Sequence, residues 1–364
     1  MGHSRRLISE LAVSLASGAI LAIAAKISGV TTKARWLMLP TPFWSLVLAS
    51  ATAVTLALFL VRSRVVRQKR VLVMIPAFAQ KHWLAAFVQH AVQTLETQGF
   101  EATLKLPLHD FSGQGQMLQL AEATRRPRDY SGAFLIVAEP EAMTADLRRF
   151  CSSVEFPVVF VDVMPFAQPD DLPARSCYVG SSQADIGVEA ARWVADRMIK
   201  AHKNSPHILV IAGTGQAGRQ KAFVETLADK LPGASVEVNP HGAFVRGKAE
   251  EIVSRHLRRS RRHGRPVDVI FCTSDEMALG AVDAIEEEKA LGHSNSELLV
   301  IGVDGTDEAM SVIRAGGTNF QGTVVQDSRR MAEAATSVLI RAVEGNKPRA
   351  MTVLPVNVYP HESP

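Results

Sequence analysis

The 364 residues exceed what one compact core usually holds, and 47% hydrophobic with 21% charged residues suits a globular chain carrying some membrane-like sequence. A net charge of +4 is small for this length and argues against a nucleic-acid partner. Three cysteines, Cys151, Cys177 and Cys272, show no paired spacing and no neighbouring histidine, which argues against a disulfide framework or a zinc site. Cys272 falls in an apolar run and reads as a small buried hydrophobe.

Residues 1–70 read as a membrane anchor. Phe43 to Val61 runs 19 residues without a charge, long enough to cross a hydrocarbon core of ~30 Å. Leu11 to Ala25 is shorter and extends toward Val30 if Lys26 snorkels, giving spans at about 8–30 and 43–61. The first stretch also reads as a signal peptide, because Arg5 and Arg6 precede it and small residues follow. If both segments cross, Arg5, Arg6, Arg62, Arg64, Arg67, Lys69 and Arg70 lie outside the hairpin, against Lys26, Lys33 and Arg35 within it. That excess places the large domain on the cytoplasmic side.

After Arg70, short apolar runs alternate with amphipathic stretches of helix length. The runs include VLVMIP, GAFLIVA, FPVVFVDV, HILVIAG, VDVIFCT, LLVIGVDG and MTVLPVNVYP, with helices predicted over His82 to Gln98, Ile186 to His202, Gln216 to Leu231 and Glu276 to Glu288. Near-continuous Val/Ile/Leu strands separated by helices imply parallel sheets covered on both faces, and about ten strands suit two doubly wound α/β lobes.

Ligands of open parallel sheets bind beyond the carboxyl ends of the strands. There the chain carries Asp162, Ser274 with Asp275, Asp304 and Gln326, while Phe244 and Gln80 to Trp83 fall in loops after strands. Carboxylates and amides beside flat rings suit a small polar, polyhydroxylated ligand: the oxygens take hydroxyl protons and the rings cover C–H faces. Asp275, ahead of Glu276-Met277-Ala278-Leu279, reads as a helix cap.

The blocks FCTSDEMALGAVDAI, VIGVDGTDEAMSVIRAGGTNFQGTVVQDSRRMAEAA and VLVMIPAFAQKHWLAAFVQHAVQTLETQGF resemble the type I periplasmic-binding-protein superfamily, closest to ribose- and galactose-binding proteins and shared with lactose-repressor-type ligand domains. The likeness runs from about Val71 to Tyr359. It implies two lobes joined by a three-segment hinge: residues 71–180 with 327–350, and 181–326 with 351–361. By position, Asp304 and Gln326 match ligand-contacting polar residues, Asp162 the carboxylate ending the fourth strand, and Phe244 a cleft aromatic; Trp83 and Leu84 stand where paired aromatics are usual. The chain also departs from the pattern. Ala217 and Val163 replace arginines, Ala138 and Ser274 replace asparagines, and Arg219 fits the family's more structural arginine. Several hydrogen bonds that hold a pentose or hexose are thereby lost.

Gly213-Thr-Gly215-Gln-Ala-Gly218 follows a strand, as a dinucleotide fingerprint does, but the next strand ends on Asn239 instead of an acid. The basic stretch Leu257 to Arg265 reads as a solvated loop or a contact for anionic lipid. No nucleophile elbow, zinc-protease helix or His/Cys cluster at ligand spacing is present, so neither an enzyme nor a metal site nor a cofactor is expected. The sequence thus predicts a solute-binding or sensing protein anchored in the plasma (inner) membrane, with a small polar ligand, sugar-like, between closing lobes. Its partners would be the lipid bilayer and a transporter permease or signalling protein. The resemblance favours a periplasmic domain and the charge count a cytoplasmic one. The alternative is a cytoplasm-facing two-span effector or scaffold that senses a metabolite or nucleotide.

Overall fold

A computed structural model of the chain describes residues 49–55, 69–78, 81–213, 217–293 and 297–360. Residues 1–68 and 69–364 separate into two units. In the first, residues 49–55 are helical; the remainder of the spans expected at about 8–30 and 43–61 lies outside the described residues. Among the described residues no helix is long and apolar enough to cross a membrane.

The second unit holds two six-stranded sheets. The first is built from β1 (Arg70–Met74), β2 (Glu101–Lys105), β3 (Gly132–Leu135), β4 (Val158–Val161), β5 (Ser176–Ser181) and β11 (Met351–Leu354), in the order β11-β5-β4-β3-β1-β2. Strand alternation divides its side chains between two cores. Val71, Val73 and Ile75 pack against α1 (His82–Thr97) and α9 (Ser328–Val343), whereas Leu72 and Met74 pack against α2 (Gly113–Arg125) and α3 (Pro140–Ser153). Burial on both faces explains why these strands read as unbroken apolar runs.

The second sheet follows the same plan. Its strands are β6 (His207–Ile211), β7 (Ser235–Asn239), β8 (Val269–Cys272), β9 (Leu299–Asp304), β10 (Phe320–Val325) and β12 (Asn357–Tyr359), ordered β12-β10-β9-β8-β6-β7. Leu209 and Ile211 face α6 (Arg246–Arg262) and α7 (Asp275–Ala290), and Ile208 and Val210 face α4 (Gln183–Lys200) and α5 (Ala217–Lys230). A short α8 (Asp307–Ala315) links β9 to β10.

Two expectations need correction. The last apolar run is not one strand of the second lobe: residues 351–354 extend the first sheet, pairing in parallel with β5, and only 357–359 join the second. Pro355 separates them because it has no N–H to continue a ladder. The parallel rule also fails at β12, which runs antiparallel to β10. The chain therefore passes between sheets three times, after β5, after β10 and between β11 and β12.

Candidate functional site

The carboxyl ends of β1, β3, β4, β8, β9 and β10 converge on one cavity of about 710 Å³, open mouth included. Trp83, Asp162, Phe244, Ser274, Asp304 and Gln326 all line it. The topology that brings them together is the strand-end rule applied to two facing sheets.

Its polar floor is built from buried charge. The carboxylates ending β4 and β9, Asp162 and Asp304, sit at φ 67° and 120°, a left-handed backbone that non-glycine residues rarely adopt. Arg219, on α5 and 1% exposed, lies between elements of both lobes: its Nε donates to Gln183 Oε1, its Nη1 to the Thr273 carbonyl at 2.9 Å, and its Nη2 stands 4.0 Å from Asp162 Oδ1. Burial raises the pKa of Asp162 and Asp304 above the usual carboxylate range, Asp304 strongly, with Arg219 opposing the shift in both. Gln326 Nε2 donates to Asp304 Oδ1 at 3.1 Å. The Tyr178 hydroxyl donates to the Asp162 carbonyl at 2.8 Å and fixes the β4 terminus.

Asp275 does not cap α7. Ser274 does, its Oγ accepting from the Met277 N–H at 3.4 Å, which turns the hydroxyl toward its own helix. Asp275 instead accepts from the Thr306 N–H at 2.7 Å, the Thr306 hydroxyl at 3.2 Å and the Thr323 hydroxyl at 2.6 Å, tying α7 to the ends of β9 and β10. Burial pushes its pKa to about 7.

The aromatic wall comes from both lobes. Trp83 stacks on Phe87, and Phe244 leans on Phe111 with centroids 5.3 Å apart. Phe244 occupies the space where a side chain at Gly213 would stand, since a Cβ there would meet the ring at 2.1 Å. That glycine therefore serves cleft packing, and its N–H donates to Thr273 Oγ1 at 3.0 Å. Residues 214–216 of the dinucleotide-like stretch lie outside the described residues.

The lobes are closed on each other. Lys81, 8% exposed, donates to the Phe244 carbonyl at 2.5 Å, His82 Nδ1 pairs with Glu276 Oε1, and Trp83 Nε1 donates to the Gln326 carbonyl at 2.8 Å. Lys81, His82, Glu276 and Phe111 also line the cavity; Lys81 and His82 fall in the Gln80 to Trp83 stretch that the sequence places after a strand, but none of the four is among the contacts expected from sequence. Their only signal was proximity to strand ends, because each acts through a partner more than 100 positions away. Of the positions where the chain departs from the sugar-binding pattern, Ala138, Val163 and Ser274 line the cavity and Ala217 does not.

A two-lobed α/β fold with an interlobe cavity at its strand ends is the architecture of solute-binding proteins that close on a ligand. Residues 71–347 match the family model for the periplasmic binding protein domain, and the chain belongs to that family, with the type I fold. Curated relatives include a putative rhizopine-binding protein of Rhizobium meliloti (24% identity, 59% of this chain and 67% of the relative) and the galactofuranose-binding protein YtfQ of Escherichia coli (23%, 56% and 62%). The ribose import binding protein RbsB of Bacillus subtilis is 28% identical over 46% of this chain and 50% of its own. The chain thus spans about half to two thirds of the length of these relatives. Among solved structures, a periplasmic solute-binding protein of Actinobacillus succinogenes with bound D-allose superposes with a TM-score of 0.68 at 15% identity, covering 79% of this chain and 96% of the other. A Bacillus halodurans solute-binding protein with bound myo-inositol gives 0.67 at 19%, covering 80% and 94%. At such identities the likeness establishes the fold.

Proposed function

We propose that residues 71–360 bind an uncharged polyhydroxylated molecule, a sugar or cyclic polyol, between the lobes, and that closure on it is read by a membrane partner. One observation carries the reading. Asp162 Oδ1, Arg219 Nη2 and Gln326 Oε1 are buried at the cavity without a hydrogen-bond partner, opposite the rings of Trp83, Phe111 and Phe244. Hydroxyl groups would satisfy those atoms while the rings cover C–H faces. Among the described residues the cavity is lined by three carboxyls, Asp162, Glu276 and Asp304, against Arg219 and Lys81, and Lys81 is already held by the Phe244 carbonyl, which disfavours an anionic ligand. The relatives named for rhizopine, galactofuranose and ribose, and the folds with D-allose and myo-inositol, agree with this chemistry.

Trp83, Asp162, Phe244, Ser274, Asp304 and Gln326 are the proposed contacts, and binding, not catalysis, is the proposed role. Ligand contacts made by both lobes only when shut would drive closure by population shift. The test is calorimetry of the full-length chain with D-ribose, D-allose, D-galactose and myo-inositol. At least one should bind, with affinity lost in D304A and Q326A; binding equal to wild type in both variants removes the site.

The apolar segments before residue 70 are proposed to tether this domain to the membrane. Their flanking lysines and arginines favour a second reading, a cytoplasm-facing effector. A reporter fused after Pro364 decides between them, because activity of a periplasm-dependent reporter excludes the cytoplasmic reading.

A further inference from the structure

We propose that His207, Glu237 and His256 form a binding site for one divalent transition-metal ion of the zinc class, at the end of the second lobe away from the cleft. One ligand atom from each lies within 4.8 Å of the others. The positions, 30 and 19 residues apart in the chain, have no metal-motif spacing, so the sequence suggested no such site. Sheet register creates it. His207 pairs with Ser235, so His207 and Glu237 project from the same face of the adjacent strands β6 and β7. His256 descends onto that face from α6, between the core residues Val253 and Leu257.

The second observation is unmet hydrogen-bonding capacity. His256 is 7% exposed and its Nε2 has no partner; the buried Nδ1 of His207 has none either. The two rings lie 5.6 Å apart, and His256 Nδ1 stands 3.5 Å from Glu237 Oε1. Two imidazoles and one carboxylate select zinc-class ions over magnesium or calcium, which require oxygen ligands. Bonds of about 2.0–2.1 Å place zinc ligand atoms about 3.3 Å apart, within reach of small side-chain rotations. Three protein ligands leave the fourth position to solvent.

A competitor is built in. Arg259 Nη2 donates to both oxygens of Glu237, at 2.7 and 2.6 Å, and neutralises the carboxylate a metal would need. Four strand residues, roughly 13 Å of chain, separate His207 from the cleft end of β6, so the site is independent of the sugar reading.

The full-length chain is titrated with ZnCl₂ alone, and with CoCl₂ to read the visible bands of low-coordinate cobalt. One equivalent of zinc should bind, with H207Q and E237Q each weakening it by about tenfold or more. R259A should tighten it by about threefold or more, because the carboxylate is released. This gain separates a metal site from a structural cluster. H256Q empties a buried position and is not needed for the test. Absence of zinc binding to the wild type, wild-type affinity in both H207Q and E237Q, or no gain in R259A would each overturn the proposal.

Discussion

The two lobes face the same cavity with different chemistry. The first presents Ile136, Val137, Ala138, Pro140, Val163 and Leu84 beside Asp162, with Lys81 and His82 already bonded across to the Phe244 carbonyl and Glu276, whereas the second presents Arg219, Ser274, Glu276, Asp304 and Gln326 beside the ring of Phe244. Apolar residues contribute shape but no directional bonds, so orientation and affinity of a polar ligand should be set mainly by the second lobe. Such a division suits a ligand with one hydroxyl-rich side and one side poor in donors.

The strongest way to break this picture is at Arg219, the cation between carboxylates of both lobes. R219M should destabilise the protein by about 3–5 kcal/mol in urea denaturation, since Asp162 and Asp304 then stay buried without compensation. A loss below about 1 kcal/mol would mean that these carboxyls are neutral in the wild type.

Next comes the pH dependence of Asp275. Its pKa rises from 3.8 to about 7 on folding, so the native state holds a proton that the unfolded chain has released. Stability from this group is complete below pH about 4 and is lost as pH rises to about 7. D275N, which cannot ionise, should flatten that fall, an effect of roughly 3 kcal/mol between the two pH values. An unchanged slope would assign the fall to other groups.

The lobe comparison itself is sharpened by paired ligand titrations. D304A should weaken binding by about thirtyfold, near 2 kcal/mol, because it removes a buried acceptor and strands Gln326 Nε2. V163A, on the apolar wall, should cost about threefold or less. Comparable losses would erase the distinction between the walls. The smallest effect is expected at the rim: His82 has a side chain 57% exposed, and H82A should change affinity by about twofold through its closed-state contact with Glu276.

Much of this architecture was legible in the chain because burial on both faces writes strands as unbroken Val/Ile/Leu runs. The helix predicted over Glu276 to Glu288 spans Asp275–Ala290, and that over Gln216 to Leu231 spans Ala217–Lys230. Asp162, Asp304 and Gln326 were visible as polar residues ending apolar runs. What stayed hidden depends on distance in sequence. The Lys81 bond to the Phe244 carbonyl and the His82 contact with Glu276 exist only once two lobes meet, and no local periodicity encodes them. Asp275 has the composition of a cap, yet Thr306 and Thr323 claim its carboxylate from strand ends that local reasoning cannot bring near. The division of the last run at Pro355 was legible in principle, since proline marks where a ladder stops.

The bond from Trp83 Nε1 to the Gln326 carbonyl joins the start of α1 to the chain just after β10, at one of the three crossings. Indole emission shifts with the polarity and hydrogen bonding of its ring N–H, and Trp83 is 8% exposed in the closed form. Separation of the lobes would bring water to that ring. Trp193, the other tryptophan among the described residues, packs in the second-lobe core and carries Arg197 over its ring at 4.1 Å. The domain thus contains its own optical gauge: a red shift assigned to Trp83 would report the open population without an attached dye, and W83F would silence it.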